Sequence, residues 1–130
     1  NAKHLHVNTI LKGTDISNKE MVAAPRFFSN LTVLSQWNTA LSSSIEWQHQ
    51  SGYYMDEINA TRYNGFDVLN LRVNYSIKKH EFWFQCLNLT DQFYATMATK
   101  NFSVRGNNAY AYYLGDNRTI ALGWRWNLIP

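Results

Sequence analysis

A single cysteine, Cys86, among 130 residues excludes an internal disulfide framework and leaves no cysteine-based metal or redox motif. The only prolines, Pro25 and Pro130, lie outside every candidate strand. No apolar run approaches the length of a membrane helix, about 20 residues, so helical spanning is excluded. Charge is scarce at 16% of residues, and twelve Lys+Arg against nine Asp+Glu leave a formal +3. That balance is too mild and too scattered to argue for nucleic acid. The chain begins without an initiator Met or a signal peptide, so it reads as a processed or excised piece. There is no GxSxG, no Cys–His pair with supporting spacing and no phosphate loop. Asp56 and Glu57 are adjacent, but nothing marks either as a general acid. His4 and His6 alternate on one candidate strand, and two ligands without a third do not make a metal site. No enzyme activity, cofactor or metal is expected.

What the chain does have is aromatic residues, 15% of the total, among runs rich in Asn, Thr and Ser. That mixture suits strands rather than helices. The last run, "NRTIALGWRWNLIP", alternates strictly: Ile120, Leu122, Trp124, Trp126 and Leu128 are separated by Thr119, Ala121, Gly123, Arg125 and Asn127. Such a period of two marks a β-strand with chemically different faces. "FDVLNLRVNYSI" does the same, with Asp67, Leu69, Leu71, Val73, Tyr75 and Ile77 in one row opposed by Asn70, Arg72, Asn74 and Ser76. The pattern predicts six strands, at 3–11, 27–37, 40–50, 66–77, 80–90 and 117–128. The fifth is the least clean, because Phe82, Trp83 and Phe84 put aromatics on both faces.

The connections are as informative as the strands. Tight turns at Trp37–Ala40 and Lys78–Lys79 alternate with long segments at 12–26, 51–65 and 91–116. Loops beyond about 12–15 residues are uncommon in compact soluble domains. Long loops at one end and short turns at the other fit an up-and-down transmembrane barrel, whose tilted strands need about 9–11 residues to span. The bulky row of each strand is then expected to face lipid and the polar row a lumen. The polar rows are Asn, Ser, Gln and Thr with few charges, whereas a solvated strand face spends Lys and Glu there. Trp37, Trp124 and Trp126 fall where an interfacial girdle is expected. The alternative is a soluble β-barrel or sandwich that turns the bulky rows inward around a small apolar ligand. A purely structural adhesin or a porin-like piece would show the same strands.

The run "SGYYMDEINATRYNGFDVLNLRVNYSI", followed by "HEFWFQCLNLTDQFYA", resembles the C-terminal strands of TonB-dependent outer-membrane receptors. The resemblance rests on Tyr53, Tyr54 and Asp56; on Tyr63, Gly65, Phe66, Val68, Asn70 and Leu71; and on Asn88, Leu89, Thr90, Asp91 and Tyr94. "APRFFSNLTV" and "LGDNRTIALGWRW" are similar to a strand start and the closing strand, so the match runs from about Pro25 to Leu128. It departs at the end, where family barrels close on an aromatic residue and this chain continues to Pro130. The fold implied is all-β, an antiparallel up-and-down meander of about six strands forming part of a larger transmembrane β-barrel of about 22 strands. Residues 1–130 would be the C-terminal portion, without the plug domain or the earlier strands.

The resemblance implies an outer-membrane location in a Gram-negative bacterium and uptake of a scarce chelate, an iron–siderophore, by loop capture and gated passage. The implied partners are the remaining barrel strands, the plug domain, the TonB–ExbB–ExbD energising complex, the iron chelate and the lipid bilayer. Ligand contacts are expected from the outer loops: Tyr53, Tyr54, Asp56, Arg62, Tyr63, Arg105, Tyr110, Tyr112 and Tyr113. Aromatics there stack on a chelate's rings, and Arg meets its carboxylates or catecholates. Asn70, Arg72, Asn74 and Arg125 are expected to face the lumen. The two arginines should be paired with carboxylates, since a buried Arg is costly otherwise. Asn88 and Asp91 of "NLTD" are expected to bond local backbone where the strand ends.

Overall fold

The structure, a computed structural model, describes residues 10–11, 14–102 and 108–128. It is all-β, and no helix occurs among the described residues. The strands are β1 (Ile10–Leu11), β2 (Thr14–Asp15), β3 (Phe28–Gln36), β4 (Leu41–Tyr54), β5 (Arg62–Ile77), β6 (His80–Leu87), β7 (Ala95–Phe102), β8 (Asn108–Leu114) and β9 (Thr119–Trp126). Two compact units divide them. The sheet unit takes Ser29–His49, Asp67–Phe93 and the segment from Gly115 on; the hairpin unit takes the segment up to Phe28, Gln50–Phe66 and Tyr94–Leu114.

The sheet unit carries five strands in the order β3-β4-β5-β6-β9, so consecutive strands are neighbours and only the last step skips over β7 and β8. Both expected tight turns form. The Asn38 side-chain oxygen accepts from the N–H groups of Ala40 (2.8 Å) and Leu41 (2.9 Å), which closes the β3–β4 connection. A two-residue turn joins β5 to β6, with Lys78 in the left-handed region (φ 53°) and Ile77 opposite His80. Two-residue hairpins need such positive φ values to match the twist of their strands. Among the described residues the sheet is open, with β3 and β9 at its edges.

Register explains how the sequence rows become faces. Antiparallel pairing sets Val73 opposite Phe84 and Phe84 opposite Leu122; it likewise aligns Tyr75, Phe82 and Trp124, then Ile77, His80 and Trp126. Directly opposed residues project on the same side, so these nine form one continuous apolar and aromatic face. The other face is built from Arg72–Gln85–Ala121, Asn74–Trp83–Gly123 and Ser76–Glu81–Arg125. The apolar face is not buried: Leu122 is 77% exposed, Ile120 61% and Trp124 60%. At its turn end His80 stacks on Trp124 and Trp126, at 5.9 and 6.3 Å between ring centres. The Trp124 Nε1–H donates to His80 Nδ1 (3.2 Å).

The ambiguity of β6 resolves in the same register. Phe82 and Phe84 join the apolar face, while Trp83 lies on the polar face directly opposite Gly123. The indole fills the space above that glycine, and any Cβ at 123 would overlap it. Arg72 covers the ring with its guanidinium carbon 6.0 Å from the centre. A large ring over a cross-strand glycine supplies the side-chain contact that glycine lacks.

Three expectations change. Residues 3–9 of the expected first strand, with His4 and His6, lie outside the described residues. Its end, Ile10–Leu11, pairs with Thr14–Asp15 rather than joining the five-stranded sheet. The expected loop 51–65 contracts, because β4 runs on to Tyr54 and β5 begins at Arg62. Segment 91–116, expected to be a loop, contains the antiparallel hairpin β7–β8. The reason is compositional. Among the described residues its buried side chains are alanines, Ala95 (3% exposed) and Ala98 (0%), which leave no bulky row that a period of two would reveal.

Replacing Gly123 with Ala should force the Trp83 indole out of its place and destabilise the sheet by about 1–3 kcal/mol, as overpacking generally does. Chemical denaturation of the variant, together with its tryptophan emission, checks both effects.

Candidate functional site

Eight of the nine expected ligand-contacting residues occupy β4, β5, β8 or described loop in the hairpin unit alongside a compact polar–apolar cluster; the placement follows from the strands. Past Gly65, β5 approaches β4 so closely that a Cβ at 65 would overlap the Gln50 carbonyl, and its backbone adopts φ 84°. Only glycine takes both at low cost. Tyr53 and Tyr63 then meet in a tilted ring pair, 5.4 Å apart, and pack with Met55, Ala98 and Ala23. Each phenol anchors β7. The Tyr53 hydroxyl accepts from the Ala98 N–H (2.6 Å), and the Tyr63 hydroxyl accepts from the Ala95 N–H (3.1 Å) and donates to the Ala95 carbonyl (2.7 Å). Burial pushes the Tyr53 phenol above its ordinary pKa, so it stays protonated at neutral pH.

Asp56 lies at the centre of the β4–β5 connection with no exposed surface. Its Oδ1 accepts from the Ala60 N–H (2.7 Å), and Lys100 Nζ, on a side chain 10% exposed, lies 3.3 Å from Oδ2. The same ammonium donates to Thr61 Oγ1 (3.0 Å), and the Lys100 N–H donates to the Met55 carbonyl (3.0 Å). Burial is the largest single influence on this carboxyl and pushes its pKa up. Hydrogen bonds from the Thr61 hydroxyl, the Ala60 N–H, Lys100 and the Thr61 N–H together outweigh it and leave the pKa lowered. Asn59, in the left-handed region at φ 59°, completes the connection by exchanging hydrogen bonds with the Glu20 backbone, 2.7 and 3.1 Å.

Among the expected ligand residues, then, Tyr53, Asp56 and Tyr63 spend their polar atoms on internal contacts. Arg62, Tyr110, Tyr112 and Tyr113 are exposed and Tyr54 is half-buried. Arg105 lies outside the described residues. Cross-strand register sets Tyr110 opposite Lys100 and Tyr112 opposite Ala98, so both rings stand on the Lys100 side of the hairpin. Lys100 Nζ is 5.7 Å from the Tyr110 ring centre. Two exposed rings beside a cation form a ledge able to stack on a planar anionic ligand. Lys100, Thr61 and Met55 were missed as site residues: an ion pair 44 positions apart in sequence has no local signature.

In the sheet unit, Arg72, Asn74 and Arg125 share the polar face. Arg72 Nε donates to Asn74 Oδ1 (3.2 Å), and Arg125 Nη1 donates to Glu81 Oε2 (3.3 Å), so one of the two arginines meets a carboxylate and the other an amide and an indole. Asn70 donates to Glu46 Oε2 (3.0 Å) and accepts from the Asn88 N–H (3.0 Å). Asn88 is almost fully buried and does what "NLTD" suggested. Its amide donates to the nearby Gln92 carbonyl (2.8 Å) and to the distant Asp116 carbonyl (3.0 Å), whereas Asp91 Oδ1 departs from the local bonding expected of it and accepts from the Arg118 N–H (3.1 Å), 27 positions away. No protein-family model, curated protein or solved structure shows a significant match to the chain.

Replacing Asp56 with Ala strands the Lys100 ammonium and should cost about 3–5 kcal/mol, read as faster amide exchange at Ala98 and Lys100. The wild-type pH dependence follows from the lowered pKa. The contribution of Asp56 is complete above the unfolded carboxyl's value, about 3.9, and is lost as pH falls below it through the folded value. Amide protection of β7 should therefore hold from neutral pH to about pH 4–5 and decline below that.

Proposed function

We propose that the chain is the C-terminal portion of the wall of a TonB-dependent outer-membrane receptor in a Gram-negative bacterium. The observation that carries this reading is the exposed apolar face of the five-stranded sheet, backed by a polar face of Asn, Gln, Ser and paired Arg. A soluble barrel or sandwich would fold Ile120, Leu122 and Trp124 inward. A large contiguous apolar surface on a protein marks a membrane or partner contact. The open edges β3 and β9 support a larger assembly, since unpaired strand edges are not tolerated in hydrocarbon. On this reading the remaining strands of a barrel of about 22 pair with those edges, and a plug domain fills the lumen against Asn70, Arg72, Asn74 and Arg125.

On this reading the hairpin unit is ligand-facing. An iron chelate stacks on Tyr110 and Tyr112 and meets Arg62 through its anionic oxygens. The TonB–ExbB–ExbD complex supplies energy through the plug, and passage follows without bond chemistry in this chain. Tyr53, Asp56 and Tyr63 support the ledge by holding β7 in place.

The test uses the natural protein in phosphatidylcholine vesicles whose acyl chains carry bromine, in two single-tryptophan forms. Emission from the form keeping Trp124 should be quenched, and emission from the form keeping Trp83 should be spared, because the two rings stand on opposite faces. Absence of quenching in both would favour the soluble alternative; equal quenching in both would overturn the assignment of faces.

A further inference from the structure

The β5 row that continues as Leu69, Leu71, Val73, Tyr75 and Ile77 begins with a carboxylate, Asp67, whose side chain is 58% exposed. A charge facing lipid is costly at the bilayer midplane and tolerated at its rim. Ten residue steps separate Asp67 from Ile77, roughly 33 Å of strand at about 3.3 Å each. A tilt of about 40° reduces this to roughly 25 Å across the membrane, which is the height of a barrel's apolar band. Asp67 therefore falls at the level where acyl chains give way to headgroups.

It does not stand there alone. The Trp47 Nε1–H and His49 Nδ1 both approach Asp67 Oδ1 at 2.9 Å, and their rings stack 5.6 Å apart. The second oxygen, Oδ2, has no hydrogen-bond partner among the described residues. Beside the cluster lies an open groove of about 450 Å³ lined by Trp47, Asp67, Leu69, Thr90 and Gln92. The turn that carries Thr90 and Gln92 is held by Asn88, which donates to the Gln92 carbonyl and accepts from its N–H.

We propose that this groove binds the sugar headgroup of a glycolipid in the outer leaflet, an inference that rests on the membrane reading above. The lining has no Lys or Arg, so a phosphate finds a repelling carboxylate and no cation. One tryptophan is too little for the aromatic cage that selects an ammonium group. Sugar hydroxyls fit each group present. One donates to Asp67 Oδ2 in a charge-assisted bond, others exchange bonds with the Gln92 amide and the Thr90 hydroxyl, and the apolar ring face lies on Trp47 and Leu69.

The natural protein is reconstituted in phosphatidylcholine vesicles containing equal mole fractions of monoglucosyl diacylglycerol, phosphatidylethanolamine or phosphatidylglycerol, and retention of each lipid is measured by mass spectrometry after detergent extraction. The glucolipid should be retained in preference to both others. Asp67→Asn and Trp47→Leu should each lower that retention about tenfold, the loss of one strong contact. Free methyl glucoside should compete only weakly, which separates a lipid source from a soluble one. Equal retention of the three lipids, preference for phosphatidylethanolamine, an unaffected Asp67→Asn variant, or strong competition by methyl glucoside would each overturn the inference. Bromolipid quenching of Trp124 in the same samples separates the two ideas. If quenching persists without headgroup preference, only the sugar site fails; if quenching is lost, both fail.

Discussion

The antiparallel register of β5, β6 and β9 is the constraint on which the sheet unit depends. Because opposed residues share a face, the match of Val73 to Phe84 to Leu122 places every bulky side chain of three strands on one side. A slip of one residue would turn each row over and scatter apolar and polar groups across both faces. The two tight turns and the Trp83–Gly123 fit hold the register. That fit is stereospecific, since the indole occupies the one position in β9 that has no side chain of its own. Arg72 over the same ring and Arg125 beside Glu81 then complete a polar face whose cations are all in contact with something.

The hairpin unit is built on a different principle. It holds five of the seven buried apolar residues among the described ones, Tyr53, Met55, Phe66, Ala95 and Ala98, yet much of what fastens β7 is polar: two tyrosine hydroxyls to backbone groups and the Asp56–Lys100 ion pair. Buried polar contacts of this kind hold one geometry or none, because a half-satisfied network in a low-dielectric interior is costly. They contribute more to specificity than to net stability. In the proposed receptor this suits an element that must present Tyr110 and Tyr112 in a set orientation. The internal use of Tyr53, Asp56 and Tyr63 and the outward display of the β8 rings are two halves of one arrangement.

Much of the sheet was legible in advance. Strands with a strict period of two, such as 66–77 and 117–128, were found because Leu, Val and Trp alternate with Asn, Arg and Gly, and the two tight turns were found from their brevity. The β7–β8 hairpin was not, because a strand that buries alanines against tyrosines carries no amphipathic signal. The ambiguous strand 80–90 needed its partners before its faces could be told apart. Among candidate site residues, composition drew attention to segments 51–65 and 91–116 but could not separate the exposed Tyr110, Tyr112 and Arg62 from the buried Tyr53 and Asp56. Residue type is the same in both cases, and only burial distinguishes them.

Local chemistry alone therefore determined that this is an all-β chain, which side chains share a row, and where the chain turns sharply, since each of these follows from neighbours within a few positions. Pairing at long range decided the rest. That Trp83 covers Gly123, that Lys100 reaches Asp56, and that Asp67 gathers Trp47 and His49 into one cluster depends on contacts spanning 18 to 44 positions of sequence. Such contacts form only once register has brought the strands together, because no short-range preference encodes a distant partner.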